Sequence, residues 1–298
     1  MDRQTIIAIL GFLAGIFAAL IGVFTKYVFD YRISKRKLLL EEQSSISTVL
    51  GPSQANFIRA TVNLYTRLNN FFEDPSRARK WLKPSQEIEK DGYYLREFIR
   101  RMFNFIAWGR ITQDAINSLP AILTKERPDL QRTYVFIELA NSLLTYTWLF
   151  RGTEEYEDQR EKLHIFTGTL DAIAEYGVQI WKEGDQRISR IDFEKAYQVS
   201  GSPLTALRDM LAQLEDENSD ATGFIIARLA ALRAILAGFL KDYSWTIEIP
   251  DKPAILRDFK QHLEYASTVN GMEQPFPKLV PRNLKELMDR YKCKLLEF

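Results

Sequence analysis

Nineteen consecutive residues, IIAILGFLAGIFAALIGVF from Ile6 to Phe24, carry no charge, no proline and no strong hydrogen-bonding side chain. At about 1.5 Å per residue a helix of this length spans roughly 28 Å, close to the hydrocarbon thickness of a bilayer. Two other readings of the run are weaker. Buried helices of soluble proteins rarely open a chain and stay apolar this long. A cleaved signal sequence should open on a basic segment, yet here MDRQ sets Asp2 against Arg3, and the chain stays apolar beyond Ala19 to Phe24. The run is therefore expected to be a transmembrane anchor within residues 1–25.

Its flanks predict the orientation. Lys26, Arg32, Lys35, Arg36 and Lys37 follow within thirteen residues, with Asp30 as the only acid among them, whereas Arg3 is the only cation in front. Cytoplasmic flanks carry the excess of Lys and Arg, so the N terminus is expected outside and the remainder in the cytoplasm, at the plasma or inner membrane. The absence of any N-x-S/T acceptor agrees with that orientation. The formal net charge of +1 conceals an asymmetry. Residues 26–110 hold sixteen Lys and Arg against nine Asp and Glu, and residues 111–298 hold twenty-three against twenty-nine. An anionic inner leaflet would attract the first of these stretches.

The apolar run is also patterned. At 100° per residue, Gly11, Ala14, Gly15, Ala18 and Gly22 share an arc of roughly 100°, and the bulky side chains occupy the rest. Small residues let two membrane helices approach closely, and Gly11-x-x-x-Gly15 has the spacing of a helix-dimer motif. Self-association through this face is expected.

Beyond the anchor, the pattern is that of an all-α chain. A basic juxtamembrane helix and a linker fill residues 26–52, with QSSISTVLGPSQ (Gln43–Gln54) as the clearest break. Residues 53–298 read as a multi-helix, bundle-like cytoplasmic domain with a proline-punctuated C-terminal arm from about 271. Ser53 is expected to cap a helix carrying Phe57, Ile58, Val62, Tyr65, Leu68 and Phe72, which Glu73-Asp74-Pro75 would end. Further helices are expected over 85–106, 129–150, 153–182, 192–199, 203–217, 221–241, 253–269 and 281–296. TIEI before Pro250 is the one strand-like segment.

GFIIARLAALRAILAGFL (Gly223–Leu240) is apolar on nearly every side and invites a second membrane span. Arg228 and Arg233 stand in its middle, each costing roughly 2.5–3.5 kcal/mol at a membrane centre. A central core helix is the better expectation, with its arginines reaching acidic partners or the surface.

Chemistry-bearing residues are sparse. His164 and His262 are the only histidines. Glu161-x-x-His164 has the spacing of two ligands on one helix face, but the second copy that a bundle di-metal site needs is missing, since Phe259 precedes His262 by three. No GxSxG, GxxxxGK[ST] or GxGxxG occurs, so no catalytic residue, metal or cofactor is assigned. Cys293, the single cysteine, lies between Lys292 and Lys294, whose charges favour a thiolate, but with no histidine near it in sequence it is expected to be a plain thiol. TEEYEDQREK is what a helix start wants against its dipole. The short helices around SGSP (Ser200–Pro203) are too acidic to meet phosphates, which argues against nucleic acid as a partner. In RARKWLK, the cations Arg77, Arg79, Lys80 and Lys83 surround Trp81 in an expected loop, suited to the inner leaflet.

These features point to a membrane-tethered interaction or regulatory module with a protein partner. A membrane-acting effector of the bacterial defence or toxin type, with a cytoplasmic sensor domain, is the alternative. A membrane-bound enzyme with scattered carboxylates is the third.

Overall fold

A computed structural model of the chain describes residues 15, 21–35, 37, 44, 46, 48, 50–82, 92–119, 127–145, 147–152, 165–183, 189–199, 201–214, 221–243, 247–269, 275–293 and 295–296. Among these the structure is all-helical, without a strand. The chain divides into two compact units, Met1–Pro52 and Ser53–Phe298. In the first, residues 21–35 form a helix, and residues 15, 37, 44, 46 and 48 are also helical.

Among the described residues ten α-helices follow: α1 Gly51–Glu73, α2 Pro75–Trp81, α3 Gly92–Asn117, α4 Pro128–Thr145, α5 Thr167–Glu183, α6 Arg190–Gln198, α7 Leu204–Ala212, α8 Ala221–Tyr243, α9 Lys252–Thr268 and α10 Phe276–Arg290. A 3-10 turn covers Thr147–Phe150. The second unit is organised around α8. Nineteen of its 23 residues are buried, which is why its sequence is apolar on all sides. It packs most extensively on α9, while α3 packs on α5 in a second layer. Phe239 of α8 stacks on Phe136 of α4, with ring centroids 3.9 Å apart and planes 4° from parallel, and Phe57 of α1 lies 6.1 Å away.

Two glycines exist for close approach. Gly177 of α5 faces Ala107 of α3 so tightly that a β-carbon there would overlap the alanine methyl. A β-carbon on Gly238 would stand 3.0 Å from the Leu295 carbonyl oxygen, so this glycine lets the C-terminal segment lie flat on α8. The end of the chain is also tied down by Asn283 of α10, buried and donating to the carbonyls of Leu149 and Arg151 at 3.1 and 3.2 Å.

Several boundaries differ from the sequence expectation, each for a local reason. α1 starts at Gly51, so Pro52 occupies the first turn, where its missing N–H costs nothing, and Ser53 is buried inside the helix instead of capping it. Within the expected linker residues 44, 46 and 48 are helical and Leu50 is in a turn, while residues 43, 45, 47 and 49 lie outside the described residues. Asp74-Pro75 ends α1 and also opens α2. The Asp74 carboxylate accepts from the Arg77 N–H at 3.0 Å and Pro75 takes N1, so RARKWLK begins as a helix and not as a loop. α10 starts at Phe276 and runs through Pro281. Residues 247–249 are irregular and not a strand. The expected helix over 153–182 is observed from Thr167; residues 153–164, with Glu161, His164 and TEEYEDQREK, lie outside the described residues.

Candidate functional site

The N-terminal helical stretch carries the residues expected at a membrane. Of the small-residue face, Gly15 and Gly22 are helical and exposed with open space beside each, whereas Gly11, Ala14 and Ala18 lie outside the described residues. Between residues 21 and 33 most large apolar side chains are exposed among the described residues. Ile21, Val23 and Phe24 are 60–69% exposed, and Tyr27, Phe29, Tyr31 and Ile33 are exposed as well. At 100° per residue these positions surround the helix axis and do not form one stripe. Lys26, Arg32, Lys35 and Lys37 stand exposed on the same helical stretch, and Arg36 lies outside the described residues.

The second basic patch is only partly available. Arg77 is exposed in the first turn of α2. Arg79 is half-buried and its Nε donates to the Leu214 carbonyl at 2.9 Å, which fastens α2 to the turn after α7. Lys80 and Trp81 belong to the helix by their backbone, and Lys83 lies outside the described residues.

Titratable groups in the bundle serve packing. Arg228 is 1% exposed, with its guanidinium 5.7 Å from the centroid of the Phe150 ring, so it does not reach the surface as expected. Arg233 does find an acid, Asp258 at 3.4 Å, and its Nε donates to Asn69 Oδ1 at 2.7 Å. His262 stacks on Phe72 at 4.2 Å, and its buried Nε2 has no hydrogen-bond partner. Burial, aided by the nearby Arg233 cation, lowers its pKa to about 4, so it is neutral at physiological pH. For Glu97, burial alone would favour the neutral acid. Hydrogen bonds from Arg100 and Arg101 at 2.7–2.8 Å outweigh it and hold the carboxyl at about 2. Burial pushes the Cys293 thiol up, and the nearby Arg132 cation offsets only part of that cost. Among the described residues no three His, Cys, Asp or Glu side chains converge at metal-binding distance.

A cleft of about 570 Å³ opens at one end of the second unit. Its walls are the first turn of α4, the last turn of α8, the first residue of α9 and the turn after α10. Among the described residues Arg132, Lys241, Lys252 and Lys292 line it together with Asp242, which Arg132 engages in an ion pair. Tyr291 and Cys293 complete the wall beside Gly238. Sequence reading missed this cluster because its cations come from four elements across 160 positions and share no spacing. The one local signal was Lys292-Cys293 directly after a helix end, where glycine is the usual residue.

Among the described residues Ala221–Tyr243 is the one helix long and apolar enough to cross a membrane, and it is the buried α8. Comparison of the chain with protein-family models, with curated proteins and with solved structures finds no match.

Proposed function

We propose that the chain is a single-pass, membrane-tethered helical module. Its N terminus faces outward, its bundle lies in the cytoplasm, and it acts by binding and not by catalysis. The observation that supports this reading is the ring of uncovered apolar side chains at Ile21, Val23 and Phe24, continuous with the apolar run before it and followed by Lys26, Arg32 and Lys35. Apolar surface exposed on all sides of a helix is disfavoured in water and matched by lipid, and the tyrosines and cations after it suit the headgroup region. Anionic inner-leaflet lipid is the first partner on this reading. A second copy of the anchor, packed through Gly11, Ala14, Gly15, Ala18 and Gly22, is the next, and a protein meets the bundle.

Flotation with vesicles tests the tether. The full chain is expected to float and a chain lacking Ile6–Phe24 to stay at the bottom; equal behaviour of the two would end the membrane reading. Self-association is read separately in a membrane dimerisation assay of the segment, where Gly15→Leu should weaken association.

The membrane-acting effector remains a second reading, because the cleft at the end of α4 and α8 gives the bundle a place to receive a small signal. Toxicity on overexpression that vanishes with deletion of Ile6–Phe24 would favour it over a passive module.

A further inference from the structure

We infer that the exposed face of α10 rests on anionic lipid headgroups and gives the bundle a contact with the membrane separate from the anchor. The inference takes its lipid surface from the membrane reading above, while the charges themselves belong to the second unit alone.

Charge pattern is the first argument. The first ten residues of α10, Phe276–Lys285, hold Lys278, Arg282 and Lys285 and no acid. At 100° per residue these three fall within about 60° of one another and along about 10 Å of the helix. All three are exposed. In other helices exposed cations meet acids one turn away, as Arg110 meets Asp114, Arg190 meets Glu194 and Lys260 meets Glu264. In α10 the residue one turn beyond Lys278 is Arg282, and the residue one turn before Lys285 is again Arg282. Like charges at these spacings destabilise a helix. The Lys278 and Lys285 ammonium groups make no ion pair or hydrogen bond among the described residues. Arg282 reaches a neutral oxygen, Asn283 Oδ1, at 3.4 Å.

Position is the second. Lys278 stands in the first turn of α10, where the helix dipole favours an acid and none is present. A helix arranged for its own stability would hold its acids here, yet α10 keeps Glu286 and Asp289 in its second half. Negative charge supplied from outside relieves both costs.

The buried side of the helix decides what kind of surface fits. Phe276, Leu279, Val280, Leu284, Leu287 and Met288 are taken up by the bundle. Asn283 grips the Leu149 and Arg151 carbonyls, so α10 cannot roll its apolar face outward. Its outward face offers charge without large apolar side chains, which matches the headgroup plane and not the hydrocarbon beneath it. Of the twenty-three cations and twenty-nine acids in residues 111–298, five and two belong to residues 276–292, which leaves eighteen against twenty-seven. An anionic surface therefore repels most of this half of the chain and attracts this one face, so the docking has a defined orientation. A tether holds the bundle near such a surface at high effective concentration, and three cations then suffice. A free nucleic acid has no such help.

The test adds the full chain to preformed vesicles of phosphatidylcholine, alone or mixed with phosphatidylserine. Lysine modification by a neutral amine-reactive ester is read residue by residue by mass spectrometry. Three cations at a charged surface favour contact by on the order of a hundredfold. Lys278 and Lys285 should therefore react many-fold more slowly on the anionic vesicles. Salt at about 1 M, with a screening length of about 3 Å, should remove the difference. Lys195 of α6, exposed beside Glu194, should react alike on both. Arg282→Gln should lower the protection of both lysines about fivefold, with no fall in melting temperature, because it removes a like-charge neighbour. Flotation of the same samples separates the inference from the tether. A chain that floats on both kinds of vesicle while Lys278 and Lys285 react equally keeps its tether and overturns the inference. Protection indifferent to Arg282→Gln overturns it too. A chain that floats only with anionic vesicles, and only with Arg282 present, loses the tether and keeps the inference. Floating with neither overturns both. Equal protection by duplex DNA in neutral detergent, without lipid, assigns the face to nucleic acid and also overturns the inference.

Discussion

Two helices of this chain are rich in aliphatic and aromatic residues, and they meet opposite surroundings. α8 contains two arginines, yet the protein itself covers it almost completely. The helix of residues 21–35 leaves Ile21, Val23, Phe24 and Phe29 uncovered, on the same stretch as Lys26, Arg32 and Lys35. Among the described residues, length and hydropathy single out α8, and not residues 21–35, as apolar enough to cross a membrane. What separates them is whether neighbours in the fold supply the apolar contact: α9, α4 and the C-terminal segment supply it for α8, and lipid is the proposed supplier for the other.

The largest test of that difference is Phe239→Ala. This ring is fully buried against Phe136, and its removal should cost the bundle about 3–5 kcal/mol, read as a fall in urea midpoint at unchanged m. Phe24→Ala is the matched change in the other helix. It should leave bundle stability unaltered and weaken vesicle partitioning by on the order of 1.5–3 kcal/mol. A loss of bundle stability from Phe24→Ala would show that protein, and not lipid, covers that helix.

A pH titration probes the covered side next. His262 titrates near 4 in the folded protein and near 6.5 when unfolded, so below 6.5 the unfolded chain takes up a proton that the folded chain refuses. Stability present above pH 6.5 is therefore lost as pH falls toward 4, by on the order of 2–3 kcal/mol. His262→Phe should flatten that interval while preserving the stack on Phe72. Glu97 adds a separate loss lower down, from its ordinary value toward about 2, because protonation removes the acceptors of Arg100 and Arg101. A profile in the His262→Phe variant that keeps the wild-type slope between 6.5 and 4 would refute the histidine assignment.

Arg233→Met should come next, at about 1–2 kcal/mol, because it strands Asn69 and Asp258 within a mostly buried site. The smallest effect belongs to the juxtamembrane cations. Lys35→Gln or Lys26→Gln should each weaken binding to anionic vesicles by about 1 kcal/mol, with no change on neutral ones. Indifference to lipid charge would remove the headgroup part of the reading.

Much of the bundle was legible because its amphipathic helices announce themselves by a stripe. Leu95, Phe98, Ile99, Met102 and Ile106 recur at helical spacing and are all buried in α3. α8 was recognisable as core because two arginines inside an apolar run weigh against a membrane. The start of α2 was not legible, since Asp-Pro is both a stop and a start and the choice depends on whether the next residues find a neighbour, as Arg79 does at Leu214. The burial of Arg228 was hidden for the same reason, because the Phe150 ring comes from a position 78 residues away in sequence. The cleft was invisible for a different reason. Its cations are ordinary surface residues in every local window, and only the meeting of α4, α8, α9 and the final turn makes them one site.

The side-chain amide of Asn283 closes a loop of 134 residues when it grips the Leu149 carbonyl. At a synthesis rate of 5–20 residues per second, roughly 7 to 27 s pass between the emergence of those two partners. Through that interval the 3-10 turn at Thr147–Phe150 lacks its clasp, and the Phe150 ring gains Phe224 only about midway and Phe276 only near the end. The bundle thus has a defined period of vulnerability during its own manufacture, ended only when the last helix arrives. Truncation before α10 should accordingly yield a protease-sensitive chain, however well its earlier helices form.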